Sequence, residues 1–298
     1  MRFSVWPNAA GPWEDLLDIS KHAEATGWDG IWIADHFMPN TADAVGPTNE
    51  CWTTVAALAV SVPRVRIGTL VTGNTYREPA VLAKMAANVD MISGGRLTLG
   101  LGSGWQENEH TKYGIPFHTI GGRLNRLDEA CQVIKSLFEN DRTNFAGKYY
   151  QLTDAPLDPK PVQKPLPLLI GGGGEQKTLR IAAKYASEWN VWGTPELLAQ
   201  KGAILDRYCT ELGRDPKSIR HSAQAMLTLS DDKELVARMR GPGRPAIAGN
   251  VAEVKQIVAE YRAAGVEEMI IPDFNMGRGA RRKETLDRFI TEVAAEFR

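Results

Sequence analysis

Short apolar runs alternate with stretches of helical period along almost the whole chain, the pattern of a parallel sheet whose strands are joined by covering helices. Residues 2–8 read as a buried strand, after which Trp13, Leu16, Ile19, Ala23 and Thr26 recur at helical spacing until Gly27 stops the helix. A second strand is expected over residues 30–36, a short helix over 51–62, and a third strand over 65–71. A helix over 79–92 follows, opened by Pro79 and closed by Ser93-Gly94-Gly95. Residues 96–102 form the fourth strand, and Leu124, Leu127, Cys131, Ile134 and Phe138 mark the apolar stripe of a long fourth helix.

The rhythm breaks over residues 140–167, where several prolines and Gly147-Lys148-Tyr149-Tyr150 carry no helical period; an insertion packed across the barrel is expected there, rather than a loose linker. Strand five follows over 168–170, a helix over 178–185, strand six over 188–192 and a helix over 195–212. Strand seven spans 219–230, a Pro/Gly-rich loop 241–245, a helix 251–264, strand eight 268–272 and the last helix 284–297. Eight such units predict a closed (β/α)₈ TIM barrel over residues 1–298 as a single domain, in preference to an open doubly wound sheet. The 298 residues suit a barrel of about 250 plus an insertion.

Lysine and arginine number 35 against 36 acidic residues, and the net charge of −1 argues against a nucleic-acid partner. With 43% hydrophobic residues the chain can bury a large core, which excludes wholesale disorder. Cys51, Cys131 and Cys209 stand far apart without a Cys-x-x-Cys pair, so neither a disulfide framework nor a structural zinc site is expected. No apolar signal region precedes the first strand, and no run approaches the ~20 apolar residues that span a bilayer. A cytoplasmic protein with no membrane partner is expected.

In such a barrel the working residues lie just past the carboxyl ends of the strands. Asp35 and His36 end strand two, where a histidine could exchange a proton near neutral pH; the plain alternative is a helix cap beside a surface histidine. His22, His110, His118 and His221 lack such placement and read as structural or solvated. Gly171-Gly172-Gly173-Gly174-Glu175 joins a strand to a helix and offers bare N–H groups to a phosphate, whereas a simple tight turn needs only one glycine. Gly100-Leu101-Gly102-Ser103-Gly104-Trp105 lacks the dinucleotide spacing, is not expected to run at once into a helix, and suits the close approach of a flat ring or its polyol tail.

Of the tryptophans at 6, 32, 52, 105, 189 and 192, two or three are expected to line a cofactor pocket and the rest to be core. Arg278, Arg281, Arg282 and Lys283 follow strand eight, a usual phosphate position in barrels, or form a solvated face. No His/Asp/Glu set has metal-ligand spacing, and there is no Gly-x-Ser-x-Gly elbow.

Taken in order, Asp35-His36, Thr69-Leu70-Val71-Thr72, Arg77-Glu78-Pro79, Gly94-Gly95-Arg96-Leu97, the Gly100 to Trp105 turn with Glu107 and Glu109, Gly171 to Gly174, Ala182-Ala183-Lys184-Tyr185 and Trp189-Asn190 resemble the bacterial luciferase-like monooxygenase superfamily over nearly the whole chain. Within it the sequence is most similar to the branch that uses the deazaflavin coenzyme F420. The resemblance implies a (β/α)₈ barrel with an insertion, binding coenzyme F420 or reduced FMN at the strand carboxyl ends. It implies that Asp35 contacts the deazaflavin, that His36 faces its reactive carbon as proton donor or substrate anchor, and that a non-prolyl cis peptide at Thr69-Leu70 forms a bulge behind the ring.

By the same resemblance Thr72, Ser103, Gly104 and Asn108 hold the ring edge and tail, and Gly172, Gly173, Gly174 and Glu175 cradle the phosphate. Sugar-phosphate dehydrogenases of this branch carry a catalytic glutamate directly after a Gly-Thr-Gly turn; Trp105 stands there instead, which speaks against glucose 6-phosphate as substrate. The implied activity is hydride transfer between coenzyme F420 and a small organic substrate, with His36 balancing the proton. An FMN-dependent monooxygenase supplied with reduced flavin, and a non-catalytic flavin-binding protein, are the alternatives. The family also suggests a homodimer joined through exposed apolar helix faces near strands two and three.

Overall fold

The computed structural model describes residues 1–241 and 245–298, so residues 242–244 of the Pro/Gly-rich loop lie outside the described residues. Eight parallel staves close into a barrel: Arg2–Trp6, Gly30–Ile33, Arg66–Thr69 with its continuation Thr72–Gly73, Leu97–Gly102, Leu168–Gly171, Glu188–Trp192, Arg220–Gln224 and Glu268–Pro272. Each pairs in parallel with the next and the eighth returns to the first, so the expected barrel is the observed one. The Gly30–Ile33, Leu97–Gly102 and Glu268–Pro272 staves are mostly apolar because both faces are covered, by the barrel interior and by the helices, whereas Glu188–Trp192 and Arg220–Gln224 carry polar residues.

The helices sit where period and caps place them. Leu16, Ile19 and Ala23 bury one face of Trp13–Ala25. The Glu50 side chain accepts from the amides of Trp52 and Thr53 to start Cys51–Ser61, and Asn250 and Glu253 form a reciprocal cap for Val251–Ala263. Gly94, left-handed at φ 67, ends Pro79–Ser93.

A polar plug closes the amino-terminal end of the barrel. Buried Glu268 accepts from Ser4 Oγ at 2.6 Å, Trp32 Nε1 at 2.9 Å and Arg66 at 2.6 Å, and Arg66 also reaches Glu188. Gly68 makes the room, since a Cβ there would lie 2.4 Å from the Trp32 ring. With this end filled, the carboxyl end is left for ligands.

Five expectations are corrected. The residues 219–230 run splits into the seventh stave and a strand Met226–Leu229 that pairs outside the barrel with Ala246–Gly249. A helix, Glu107–Tyr113, begins two residues after Trp105, although its sequence is too polar to show an apolar stripe. The first stave ends at Trp6, short of Asn8, and the second at Ile33, so Asp35 and His36 follow the stave instead of ending it. The last helix starts early, at Ala280, and passes after Arg288 into a π-helical turn over Phe289–Val293. The insertion is an antiparallel pair, Arg142–Ala146 and Gln151–Pro156, held to the Ile120–Glu139 helix by Glu129, which accepts from the amides of Lys148, Tyr149 and Tyr150.

Candidate active site

The third stave breaks at the carboxyl end of the barrel. Ile67 and Gly68 pair with Leu97 and Thr98, but Thr72 and Gly73 pair with Leu101 and Gly102, one residue out of step. The Thr69 hydroxyl fills the gap, donating to the Gly100 carbonyl at 2.7 Å and accepting from its amide at 2.9 Å. The extra residue pushes Leu70 and Val71 inward as a bulge. A non-prolyl cis peptide lies here, between Leu70 and Val71, one bond later than expected. The Leu70 amide still donates to Ile33 of the second stave at 2.8 Å, so the chain leaves the ladder only after it.

Glycines let the neighbouring staves close on this bulge. A Cβ on Gly100 would lie 1.9 Å from the Thr69 carbonyl oxygen, and one on Gly102 or Gly171 would meet the Val71 side chain at 2.8 or 2.9 Å. The result is a backbone-thin wall. It borders a cavity of about 740 Å³ that Asp35, His36, Leu70, Val71, Ser103, Gly104 and Gly172 help to line.

Opposite side chains come from the first, sixth and eighth units. Trp6 packs against Trp192 with ring centroids 5.8 Å apart and edge-on to Phe274 at 5.0 Å, and all three line the cavity. Trp105 stands edge-on to His36 at 5.4 Å and is 61% exposed at the mouth. Of the six tryptophans singled out by sequence, 6, 105 and 192 border the cavity, while Trp32, Trp52 and Trp189 are buried away from it. Asn190 and Gln224 add amides, Gln224 Nε2 donating to Asn190 Oδ1 at 2.6 Å.

His36 is partly exposed to the cavity, and its Nδ1 lies 2.9 Å from Oε1 of the fully buried Glu109. Glu109 also accepts from the Phe37 amide at 2.8 Å and from the Tyr76 hydroxyl. Burial alone would raise the Glu109 carboxyl, but the hydrogen bonds from His36, Phe37 and Tyr76 outweigh it and hold the carboxyl below its ordinary range. Asp35, also buried, takes a forked pair from Arg77 at 2.6 and 3.2 Å, and Arg77 reaches on to Glu50 at 2.7 Å. Burial pushes the Asp35 carboxyl above its usual range, with Arg77 opposing.

The remaining expected residues are placed as follows. Thr72 is buried and accepts from Trp52 Nε1 at 3.0 Å, so it props the wall from behind rather than lining the cavity. Asn108 donates to the carbonyls of Pro39 and Thr41 at 2.9 and 3.1 Å, fixing the loop after the second stave. Gly173, Gly174 and Glu175 lie beyond the cavity lining, on the rim leading to the Thr178–Tyr185 helix. Their amides donate to no acceptor among the described residues. Lys201 stands beside them, its Nζ 2.6 Å from Glu175 and its Cε 3.8 Å from where a Gly173 Cβ would be.

The basic cluster after the eighth stave does not reach the cavity. Arg282 is buried against Asp273 at 3.0 Å and Lys283 pairs with Asp18 at 2.7 Å, so they tie the last helix to the barrel and to the first helix. Glu109, Tyr76 and Arg77 are the site residues to which the sequence assigned no role. Glu109 lies 73 residues from His36, and only the closed barrel brings them together.

A family model described as luciferase-like monooxygenase matches residues 1–287. The chain belongs to the luciferase-like monooxygenase family. Among curated relatives it is 38% identical over 178 residues to an F420-dependent glucose-6-phosphate dehydrogenase of Amycolatopsis mediterranei, a match covering 59% of this chain and 51% of that protein. It is 30% identical over 219 residues to an F420-dependent hydroxymycolic acid dehydrogenase of Mycobacterium tuberculosis, covering 73% and 60%. The chain thus spans about half the length of the first of the curated relatives it matches.

Solved structures share the fold. A coenzyme F420 dependent tetrahydromethanopterin reductase from Methanopyrus kandleri superposes with a TM-score of 0.84 at 20% identity, over 100% of this chain and 99% of that one. An F420-dependent secondary alcohol dehydrogenase, solved with an F420-acetone adduct, gives 0.84 at 21% identity over 99% of both chains.

Proposed function

We propose that this protein is an oxidoreductase that moves a hydride between coenzyme F420 and a small organic substrate, an alcohol or its carbonyl counterpart or an activated alkene. The observation that carries the reading is the cavity itself: a thin Leu70–Val71 wall for a flat ring, with His36 on the same lining and a rim of unbonded amides beside Lys201. The F420-dependent relatives and the barrel shared with F420-dependent enzymes support it.

When bound, the deazaflavin would supply a ring carbon that gives or takes the hydride. Leu70, Val71, Gly102 and Gly171 would bear the ring's back face, with Ser103, Gly104 and Gly172 along its edge and tail. The amides of Gly173, Gly174 and Glu175 offer donors to a phosphate, and Lys201, paired with Glu175, would turn its ammonium to that phosphate. Asp35, held by Arg77, is a fixed acceptor at the cavity. His36 exchanges the proton that accompanies hydride transfer, through Nε2, which has no partner among the described residues. The aromatic wall of Trp6, Trp192 and Phe274 shields the reacting groups from water.

We read the whole chain as one domain working in the cytoplasm as a homodimer. Val60, Val81, Met91 and Ile92, 42–71% exposed on the helices after the second and third staves, are the apolar surface that a second copy would cover.

An acceptor and donor screen tests the activity: the purified protein is mixed with reduced or oxidised F420 and a panel of alcohols, ketones and enones, and the deazaflavin absorbance is followed. Turnover with any of them supports the reading. Oxygen consumption with reduced FMN, and none of this turnover, would move the protein to the monooxygenases.

A further inference from the structure

We propose that Glu109 is the positioning residue that fixes His36 as its Nδ1–H tautomer and so turns a bare Nε2 toward the cavity. This rests on the reading of His36 as the proton-exchanging group, but the tautomer is measurable without any cofactor.

Three groups converge on one buried carboxylate. The Phe37 amide, 2.8 Å from Oε2, can only donate. His36 Nδ1, 2.9 Å away, and the Tyr76 hydroxyl share Oε1. An ionised carboxylate can only accept, so each of the three must bring a proton. For His36 that places the proton on Nδ1 and leaves the Nε2 lone pair as what a ligand meets.

The carboxylate is itself held from two sides. Glu109 belongs to the Glu107–Tyr113 helix, and the next residue, His110, is pinned between Thr75 Oγ1 at 2.7 Å and the Gln106 carbonyl at 2.7 Å. Tyr76 cannot retreat easily, because its ring packs on Phe37 at 4.8 Å and on His110 at 5.0 Å.

The amide of Glu109→Gln keeps the volume and removes one acceptor. In the orientation that leaves no donor facing another donor, the Phe37 N–H takes the amide oxygen and the amide N–H₂ faces Nδ1 and the tyrosine hydroxyl. The hydroxyl can turn to accept. The imidazole can accept only by moving its proton to Nε2. Glu109→Gln therefore reverses the tautomer and takes away the lone pair that receives a proton from an alcohol. Glu109→Asp retains a carboxylate and, with it, the Nδ1–H form.

Protein labelled with ¹⁵N-histidine provides the test, through long-range ¹H–¹⁵N spectra recorded at alkaline pH. Only five histidines contribute, and the His36→Ala spectrum assigns the signals of interest. The expected wild-type pattern is a protonated Nδ1 and a bare Nε2, reversed in Glu109→Gln and restored in Glu109→Asp. Alongside, kcat in the Gln variant is expected to fall by at least about tenfold while KM for the cofactor stays within about twofold. A wild-type His36 protonated on Nε2, or a Gln variant that keeps the proton on Nδ1, would overturn the proposal. An expected tautomer pattern with undiminished turnover in His36→Ala would leave the positioning by Glu109 in place and remove His36 from the chemistry.

Discussion

The Thr69 hydroxyl replaces one rung of the barrel ladder, donating to the Gly100 carbonyl at 2.7 Å and accepting from the Gly100 amide at 2.9 Å. The bulge that walls the cavity depends on this exchange. Thr69→Val would leave both buried Gly100 groups without a partner, and a loss of roughly 2–5 kcal/mol is expected by urea denaturation. Gly100→Ala should be at least as damaging, since its Cβ would sit 1.9 Å from the Thr69 carbonyl oxygen. Stability unchanged in both variants would contradict this geometry.

His36→Ala is expected to bind the cofactor nearly as well as wild type and to lose about 100-fold in kcat. The ring is held at the cavity by Glu109 rather than by the core, so the fold should survive its removal. Circular dichroism and a binding titration separate the two effects. A large loss of cofactor affinity would make His36 a binding group instead.

Stability should carry the Glu109 signature against pH. Its folded carboxyl lies below the ordinary 4.5, so its contribution is fully present above that value and is lost as pH falls through the lower, folded one. Glu109→Gln is therefore expected to be less stable than wild type at neutral pH, with the gap closing as pH falls below 4.5 and through the lower, folded value. A gap of the same size at both ends would show that the ionised form is not what stabilises the fold.

Lys201→Ala tests the phosphate rim. Lys201 is the cation beside the free amides of Gly173 and Gly174, and its loss is expected to weaken coenzyme F420 binding by about tenfold while flattening the salt dependence of binding. An unaltered affinity and salt slope would place the phosphate elsewhere.

Sedimentation checks the dimer. A wild-type dimer at micromolar concentration, shifted toward monomer by Val60→Asp with Met91→Asp, is the expected outcome, because those side chains are 71% and 46% exposed on neighbouring helices. A monomeric wild type would refute the contact.

Much of the barrel was legible in the sequence because most of its buried parallel strands are rich in apolar residues and their helices carry caps and stripes; the Thr178–Tyr185 helix and the Glu188–Trp192 stave lie at their expected bounds. The seventh strand was not read correctly, since Met226–Leu229 has the same apolar character whether it continues the stave or pairs outside it. The cis bond falls one residue late because register, here the Leu70 amide on Ile33, decides where the chain departs.

At the site, His36, Asp35, Ser103, Gly104 and Gly172 stood out by their place after strands, and all five border the cavity. The roles of Glu109, Tyr76 and Arg77 were hidden. Their meaning lies in contacts made across the barrel mouth, and a carboxylate in a polar helix gives no sign of what it will touch.

A fluorescence-quench titration with coenzyme F420, run in parallel with oxidised and reduced FMN, tests the central claim most directly. Saturable binding of F420 at micromolar concentration, with FMN in either redox state at least about tenfold weaker, is the expected result. Preference for reduced FMN would contradict the hydride-transfer account and point to oxygen activation in the same cavity.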